Sequence, residues 1–424
     1  MKLLIKNGRV VDPANNLDEE RDVLVDQGRI VKVGRNLNGG ADQIIDAARW
    51  LVLPGLIDMH VHLREPGRED KETVESGTRA AVKGGITTLV AMPNTNPAMD
   101  TPESVQLLQA RIKESAQAHV LIAGCISRSR QGRELTDLAR LKRAGIVAIS
   151  DDGAAVDSAP LLDRALRKAK EQKLAVLLHC EDRNVSAGGV MHLGAMSTRL
   201  GLRGISAESE YKRIQRDIQL AEKARCPVHI CHVSCAESVE IIARAKKKGV
   251  RVTAETAPHY FTLTEEAVRD YDADMKMNPP LRGASDVHAV IQGLIKGTID
   301  TIASDHAPHT INEKEIEFDR AEFGIIGLET ELAVAATWLV RPGHLSWSDL
   351  VKKLSLHPAR ILGIDKGTLG PGKAADITIV DPAAEWVVRK EECVSKSRNT
   401  PFVGWRLQGR VMYTVVDGKV AYRQ

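Results

Sequence analysis

Two histidines one residue apart, His60 and His62, close an apolar run that begins at Leu53. Side chains alternate along an extended strand, so both imidazoles project from one face and can grip one cation. Arg64 shares that parity if the backbone stays extended, and a guanidinium beside a metal suits an anionic substrate. A lone His-Xaa-His is more often a pair of hydrogen-bonded core histidines. Here more imidazoles and carboxylates follow at the ends of later apolar runs: Ser150-Asp151-Asp152-Gly153, His179-Cys180-Glu181-Asp182, His229-Ile230-Cys231-His232 and Ser304-Asp305-His306-Ala307-Pro308-His309. Imidazole and carboxylate suit zinc, and four histidines with two aspartates exceed the three protein ligands that a single catalytic zinc uses. Two ions ~3.5–4 Å apart, sharing a carboxylate, would employ them all. A carboxylate at the last of these strand ends can take a proton from water and pass it to a leaving nitrogen. The chemistry indicated is metal-assisted hydrolysis of an amide or ester. Parity leaves choices open: His229 opposes His232, Asp151 opposes Asp152, and His306 is expected to face away from Asp305.

Groups so far apart in the chain need a scaffold that gathers them. From residue 51 onward, apolar strand-like runs (53–63, 87–92, 119–126, 146–150, 175–179, 228–233, 250–255 and 301–304) alternate with amphipathic stretches (71–83, 102–115, 135–143, 159–172, 211–224 and 236–248). Eight strand-plus-helix units predict a parallel (β/α)8 barrel of the TIM type over residues 53–362, with a doubly wound open sheet as the alternative. In such a barrel the reactive side chains come from the C-terminal strand ends, where the motifs above fall. Residues 1–52 read as short strands with tight turns at Asn7-Gly8 and Asp26-Gln27-Gly28, and residues 363–424 return to strand patterns at 375–380 and 410–418. The two β-rich ends are expected to pack together as one small β-sandwich. The longest loop is 310–325, rich in charge, and a loop of that length inside a compact domain is functional or disordered.

Composition narrows the class. A hydrophobic fraction of 43% with 27% charged residues is that of a globular protein in water, and a net charge of +3 offers no footprint for nucleic acid. Only 3% of residues are aromatic, so the core must be aliphatic. The six cysteines are scattered with no CxxC pair, which reads as reduced thiols in a cytoplasmic protein. Cys180 and Cys231 neighbour candidate ligands and are read as small buried residues. Neither a secretory leader nor a membrane-spanning run is expected.

The sequence resembles the amidohydrolase superfamily, and within it the bacterial class I dihydroorotases, along essentially the whole chain. The resemblance is carried by Pro54-Gly55-Leu56-Ile57-Asp58-Met59-His60-Val61-His62-Leu63-Arg64-Glu65-Pro66-Gly67, Met92-Pro93-Asn94-Thr95, Asp151-Asp152-Gly153, Glu255-Thr256-Ala257-Pro258-His259-Tyr260, Lys276-Met277-Asn278-Pro279-Pro280-Leu281-Arg282 and Ser304 to His309. It implies zinc-dependent, reversible opening of the cyclic amide of (S)-dihydroorotate to N-carbamoyl-L-aspartate, a step of pyrimidine biosynthesis. By resemblance His60 and His62 hold one zinc with Asp305, His179 and His232 hold a second, and Asp152 bridges. Two ions per subunit are implied, or one where a single site fills. Asp305 is also implied as base and then acid. Arg64, Asn94 and His309 would bind the substrate carboxylate, with His62 beside them. Asn278 and the Phe323-Gly324 backbone would contact the ring, and the segment from Thr310 would act as a mobile lid. Many relatives bridge their metals with a carboxylated lysine, whereas Ser150-Asp151-Asp152 contains none. That difference argues against a hydantoinase or dihydropyrimidinase; Arg64 and Asn94 discriminate against a hydantoinase or allantoinase, whose substrates lack a carboxylate for a buried Arg to pair with. A third reading is a non-catalytic scaffold for aspartate transcarbamoylase; such members have lost metal ligands, and this chain keeps the set. A homodimer and association with aspartate transcarbamoylase are the assemblies the resemblance admits.

Overall fold

The computed structural model describes residues 2–38 and 40–424. Eight parallel strands form its centre: β1 (Leu56–Val61), β2 (Ile86–Ala91), β3 (His119–Cys125), β4 (Ala148–Ser150), β5 (Ala175–Leu178), β6 (Val228–Ile230), β7 (Val252–Thr256) and β8 (Thr301–Ile302). Each pairs with its neighbour in sequence. A parallel bridge between Val61 and His306, with the His62 N–H donated to the His306 carbonyl at 2.9 Å, brings the last strand against the first. The expected barrel is the observed one, and this contact excludes an open sheet. Neighbouring strand residues enter different cores: Val90, Ala148 and Leu177 pack in one cluster, while Leu89, Ile149 and Val176 pack in another that includes the surrounding helices. Burial on both faces is why these runs read as continuously apolar.

The helices start where the sequence caps them. Thr73 caps Val74–Lys83 and Thr101 caps Pro102–Ser115, each in a reciprocal box with the serine three residues on. Helix Ala284–Ile295 between β7 and β8 escapes the alternation pattern, as do the helices after β8; it buries only Val290, Gly293 and Leu294, too short a stripe to stand out. After β5 the chain makes an excursion through Arg183–Ser186 and Ala195–Leu200, closed by the two-residue pair Met191–His192 with Gly204–Ile205. Among the described residues no helix is long and apolar enough to cross a membrane.

Both chain ends meet in a second eight-stranded sheet. Lys419–Arg423, Arg406–Val416, Ile377–Val387, Leu51–Pro54, Lys2–Asp12, Leu17–Asp26 and Arg29–Gly34 follow in that order, with Gln43–Asp46 added on Lys2–Asp12. It encloses its own core of Leu3, Ile5, Val23, Val52, Ile377 and Val415. The single strand expected at 53–63 is two strands, one per sheet. Gly55 separates them, donating its N–H to the Asp376 carbonyl at 2.8 Å, and a Cβ there would collide with Thr87.

The 310–325 stretch is built and pinned. Ile311–Lys314 is a helical turn that Thr310 and Glu313 cap. The buried Lys314 Nζ donates to the carbonyls of Glu322 (2.9 Å) and Gly324 (3.0 Å), and Lys276 Nζ donates to that of Phe318 (2.8 Å). Phe318 itself is buried against Met191, Met196 and Val268.

Candidate active site

At the C-terminal mouth of the barrel the backbone leaves ideal geometry. Arg64 (φ 62°), His232 (φ 37°) and Asp305 (φ 49°) sit in the left-handed region shortly after β1, β6 and β8 end. Non-glycine residues held there are strained, and such strain gathers at functional sites. It also breaks the parity rule. Arg64 reaches the site from a left-handed turn rather than as an extended continuation of β1. His229 and His232, which a regular strand would point to opposite faces, both face the interior because His232 lies past the strand's end.

Six expected groups converge. Asp152 Oδ1 lies 3.3 Å from His60 Nε2, 3.4 Å from His179 Nδ1 and 3.5 Å from His232 Nε2. Asp152 Oδ2 lies 3.4 Å from His62 Nε2. Asp305 Oδ1 lies 3.3 Å from His62 Nε2 and 3.5 Å from His60 Nε2. His179 Nδ1 and His232 Nε2 are 2.8 Å apart. His60 Nε2 and Asp152 Oδ1 are buried without a hydrogen-bond partner, a costly arrangement for a protein to keep empty-handed. The spacings fit a metal. Nitrogen and oxygen ligands ~2.0–2.1 Å from a tetrahedral zinc stand ~3.3–3.4 Å from one another, close to the 3.3–3.5 Å between the carboxylates and imidazoles here, while His179 and His232 stand closer, at 2.8 Å. Two groups, His60–His62–Asp305 and His60–Asp152–His232, each offer three ligand atoms close enough for one ion. Burial works against charge on Asp152 and Asp305, yet the imidazoles hold both carboxyls below their ordinary range, so both stay anionic. Of the six side chains Asp305 is the most open, 13% exposed against 5% or less for the others.

Three of the four histidines are tethered through their other ring nitrogen, as metal-binding histidines are. His60 Nδ1 meets Glu255 at 2.7 Å, His62 Nδ1 meets Asn94 Oδ1 at 2.8 Å, and His179 Nε2 meets Glu181 at 3.1 Å. Glu181 also accepts from Asn278 Nδ2 at 3.2 Å, which fixes that amide. Asn94 receives the His62 N–H on its carbonyl oxygen, so its NH2 group is left for another acceptor.

Beside this cage is a cationic corner. Arg64 Nε donates to the Pro308 carbonyl at 3.1 Å, and no carboxylate is paired with its guanidinium among the described residues. Burial lowers its pKa to about 10, which still leaves it charged. His309 Nδ1 accepts from Lys71 Nζ at 3.1 Å, so Nε2 carries the proton and donates to the Phe323 carbonyl at 2.9 Å. Burial, then the Arg64 and Lys71 charges, keep His309 neutral. Arg64 Nη2, 3.2 Å from the same Nε2, meets a donor there and not an acceptor, which leaves it free for an anion. Phe323-Gly324 lies against this corner. The Gly324 amide is already given to the Lys276 carbonyl at 2.9 Å, so of the two residues only Phe323 has an amide for a ligand.

Some neighbours of the expected ligands have other work. Asp151 accepts from the backbone of Ile126 and Ser127 and so ties β4 to the end of β3. His306 faces away, as expected, towards Glu72 at 3.2 Å. Cys180 and Cys231 are buried thiols whose pKa burial drives up. Glu255 and Glu181, each gripping a cage histidine, have no assigned part in the sequence reading. Their only signal is a position at the end of a barrel strand.

A family model described as Dihydro-orotase-like matches residues 49–238, and one described as Amidohydrolase family matches residues 325–422. The dihydroorotase of Pelotomaculum thermopropionicum is 52% identical over 420 residues, spanning 99% of this chain and 98% of its own. That of Elusimicrobium minutum is 50% identical over 420 residues, 99% and 97% of the two chains. Among solved structures, the L-hydantoinase of Arthrobacter aurescens superposes with a TM-score of 0.89 at 27% identity, covering 99% of this chain and 95% of its own. The dihydropyrimidinase of Brevibacillus agri gives 0.88 at 26% identity, covering 100% and 95%.

Proposed function

Since the chain belongs to the dihydroorotase family of amidohydrolases, half-identical to its members along its whole length, we propose how its residues divide the work of that reaction. The reaction opens the ring amide of (S)-dihydroorotate to N-carbamoyl-L-aspartate, reversibly, as a step of pyrimidine (UMP) biosynthesis. The solved hydantoinase and dihydropyrimidinase share the fold at much lower identity, and Arg64 separates their chemistry from this one. A part-buried guanidinium with no carboxylate of its own is costly unless the substrate supplies one, and hydantoin and allantoin have none.

His60, His62 and Asp305 would hold one zinc, and His179 and His232 a second, with Asp152 between them. Bound zinc supplies Lewis acidity, polarising the ring carbonyl and lowering the pKa of water towards ~7. Asp305 offers Oδ1 to the imidazoles, which leaves Oδ2 to take the proton of the attacking water and return it to the departing ring nitrogen. Arg64 and the Asn94 NH2 group grip the substrate carboxylate and so orient the ring amide over Asp305, with the single Nε2 proton of neutral His309 shared between that carboxylate and the Phe323 carbonyl. Asn278 and Phe323 contact the ring, and Gly324 lets the backbone approach His309. The substrate is the small-molecule partner. Six free cysteines, five of them buried, support a reducing cytoplasmic location.

The observation that carries this reading is the unpaired Arg64 beside the His/Asp cage. Zinc-loaded protein is therefore expected to turn over dihydroorotate and to leave hydantoin and allantoin intact, with ring opening followed by absorbance. Arg64→Met is expected to raise KM for dihydroorotate by about 10²-fold or more, the scale of a lost charge-assisted pair of ~3 kcal/mol. Turnover of hydantoin in preference to dihydroorotate, or an unchanged KM in the variant, would overturn it.

A further inference from the structure

Glu255 has no part in the chemistry just described, yet it is 2% exposed and lies between two histidines inside the barrel. Its Oε1 is 2.7 Å from His60 Nδ1 and its Oε2 is 3.0 Å from His229 Nε2. His229 Nδ1 is in turn 2.9 Å from the Thr253 hydroxyl. A line of hydrogen bonds thus runs from Thr253 near the start of β7, through His229 on β6, to the ring whose other nitrogen faces Asp152 and Asp305.

The proton positions along this line are forced. A carboxylate only accepts, so His60 must carry its proton on Nδ1, and the Nε2 lone pair is then aimed into the cage. His229 must carry its proton on Nε2, so Nδ1 accepts from Thr253. That hydroxyl has a second acceptor, the Val228 carbonyl, at a longer 3.4 Å. Every donor in the line has an acceptor, and none is left over.

We propose that Glu255 is a positioning residue for metal binding: held by His229 and Thr253, it fixes the tautomer and ring plane of His60 so that Nε2 is presented as a ligand. The proposal rests on the reading of His60 as a metal ligand. The alternative is that Glu255 merely holds β6 to β7 to β1, a packing role with no bearing on the ion. The two differ in what they move. A packing role lowers the stability of the metal-free protein, whereas a positioning role lowers metal affinity.

His229 also offers an independent handle. The residue borders a cavity of about 660 Å³ at the other end of the barrel, together with Val176, Val228, Thr253 and Leu362. Removing the buried His229 ring beside this cavity is expected to leave a hole that a free imidazole can fill.

The experiment measures zinc affinity by competition with a chromophoric chelator, together with the Tm of the metal-free protein. Glu255→Gln is expected to weaken zinc binding by about 10-fold or more, within the ~10–100-fold that loss of such a partner costs, with the metal-free Tm little changed. His229→Ala is expected to weaken it several-fold, and added imidazole to restore it. Imidazole is expected to leave Glu255→Gln unrestored and, in the parent, to set the baseline. Affinities within twofold of the parent in both variants, or a fall in metal-free Tm with no change in affinity, would overturn the proposal. If Glu255→Gln does not fold, the His229→Ala arm decides alone on the same criterion. A parent that binds no zinc would instead overturn the reading of the cage.

Discussion

At the scale of single residues, Asp305 carries the most demanding assignment, because it must both face a metal and handle a proton. Its 13% exposure at the mouth and its anionic state suit the second task. Asp305→Asn keeps the shape and an oxygen ligand but cannot accept the proton. Turnover of dihydroorotate is expected to fall by about 10²–10⁴-fold, the usual worth of a positioned general base, with circular dichroism unchanged. Zinc content measured on the same sample separates a lost ligand from a lost base. Near-parental turnover at normal zinc content would remove Asp305 from proton transfer. The choice between Asp151 and Asp152 shows what one residue of register means. Asp151 spends both oxygens on the end of β3, and only Asp152 can turn inward.

At the scale of elements, the question is what holds the terminal sheet to the barrel. Asp376 stands at that junction: it contacts His119 Nε2 on β3 at 3.3 Å, accepts the Asp417 N–H at 3.0 Å and pairs with Lys366. Burial alone would raise its pKa, but His119 and Lys366 outweigh burial and hold it at about 2. The ordinary value is ~3.9, so between the two the unfolded chain binds more protons and stability rises with pH. The contribution, about 2 kcal/mol, is complete above pH ~4, roughly half gone by pH 3, and lost as the pH falls through 2. Asp376→Asn is expected to lower the unfolding free energy by about 1–3 kcal/mol at pH 7 and by clearly less at pH 3, read from denaturant titrations. An equal loss at both pH values would show that the charge of Asp376 is not what binds the two units. The 310–325 segment teaches the complementary point. Charge and the lack of periodicity make it read as a loose lid, whereas two buried lysines, Lys276 and Lys314, pin its carbonyls from below. A lysine that bonds only to backbone leaves no pattern in sequence.

At the scale of the whole molecule, the cage costs the fold something when empty. The buried Asp152 and the part-buried Asp305 face four imidazoles, with His60 Nε2 and Asp152 Oδ1 unpartnered. An ion that binds the folded chain alone repays this, by about 2.7 kcal/mol when present at ~100 times its dissociation constant. Zinc is therefore expected to raise the Tm of chelator-treated protein by several degrees, and His60→Ala to reduce the shift, the second site keeping its own ligands; identical melts of the parent with and without zinc would sink the cage as a metal site. The sequence by itself determined the alternating parallel scaffold, through eight apolar strand runs with six amphipathic stretches between them, while the closing Val61–His306 bridge decided barrel over open sheet. It also determined the His60–His62 pair, through period-two spacing, and the region of the site, because strand ends in a parallel barrel share one mouth. Those are local signals, written within a few residues of each other. Only the tertiary structure decided that Arg64 and His232 reach the site from left-handed turns, and that Asp152 and not Asp151 faces inward by geometry. It alone showed that Glu255 backs His60 from 195 residues away. Periodicity describes a regular backbone and its nearest neighbours, and the contacts that finish this site arise where the backbone stops being regular and distant strands close into a ring.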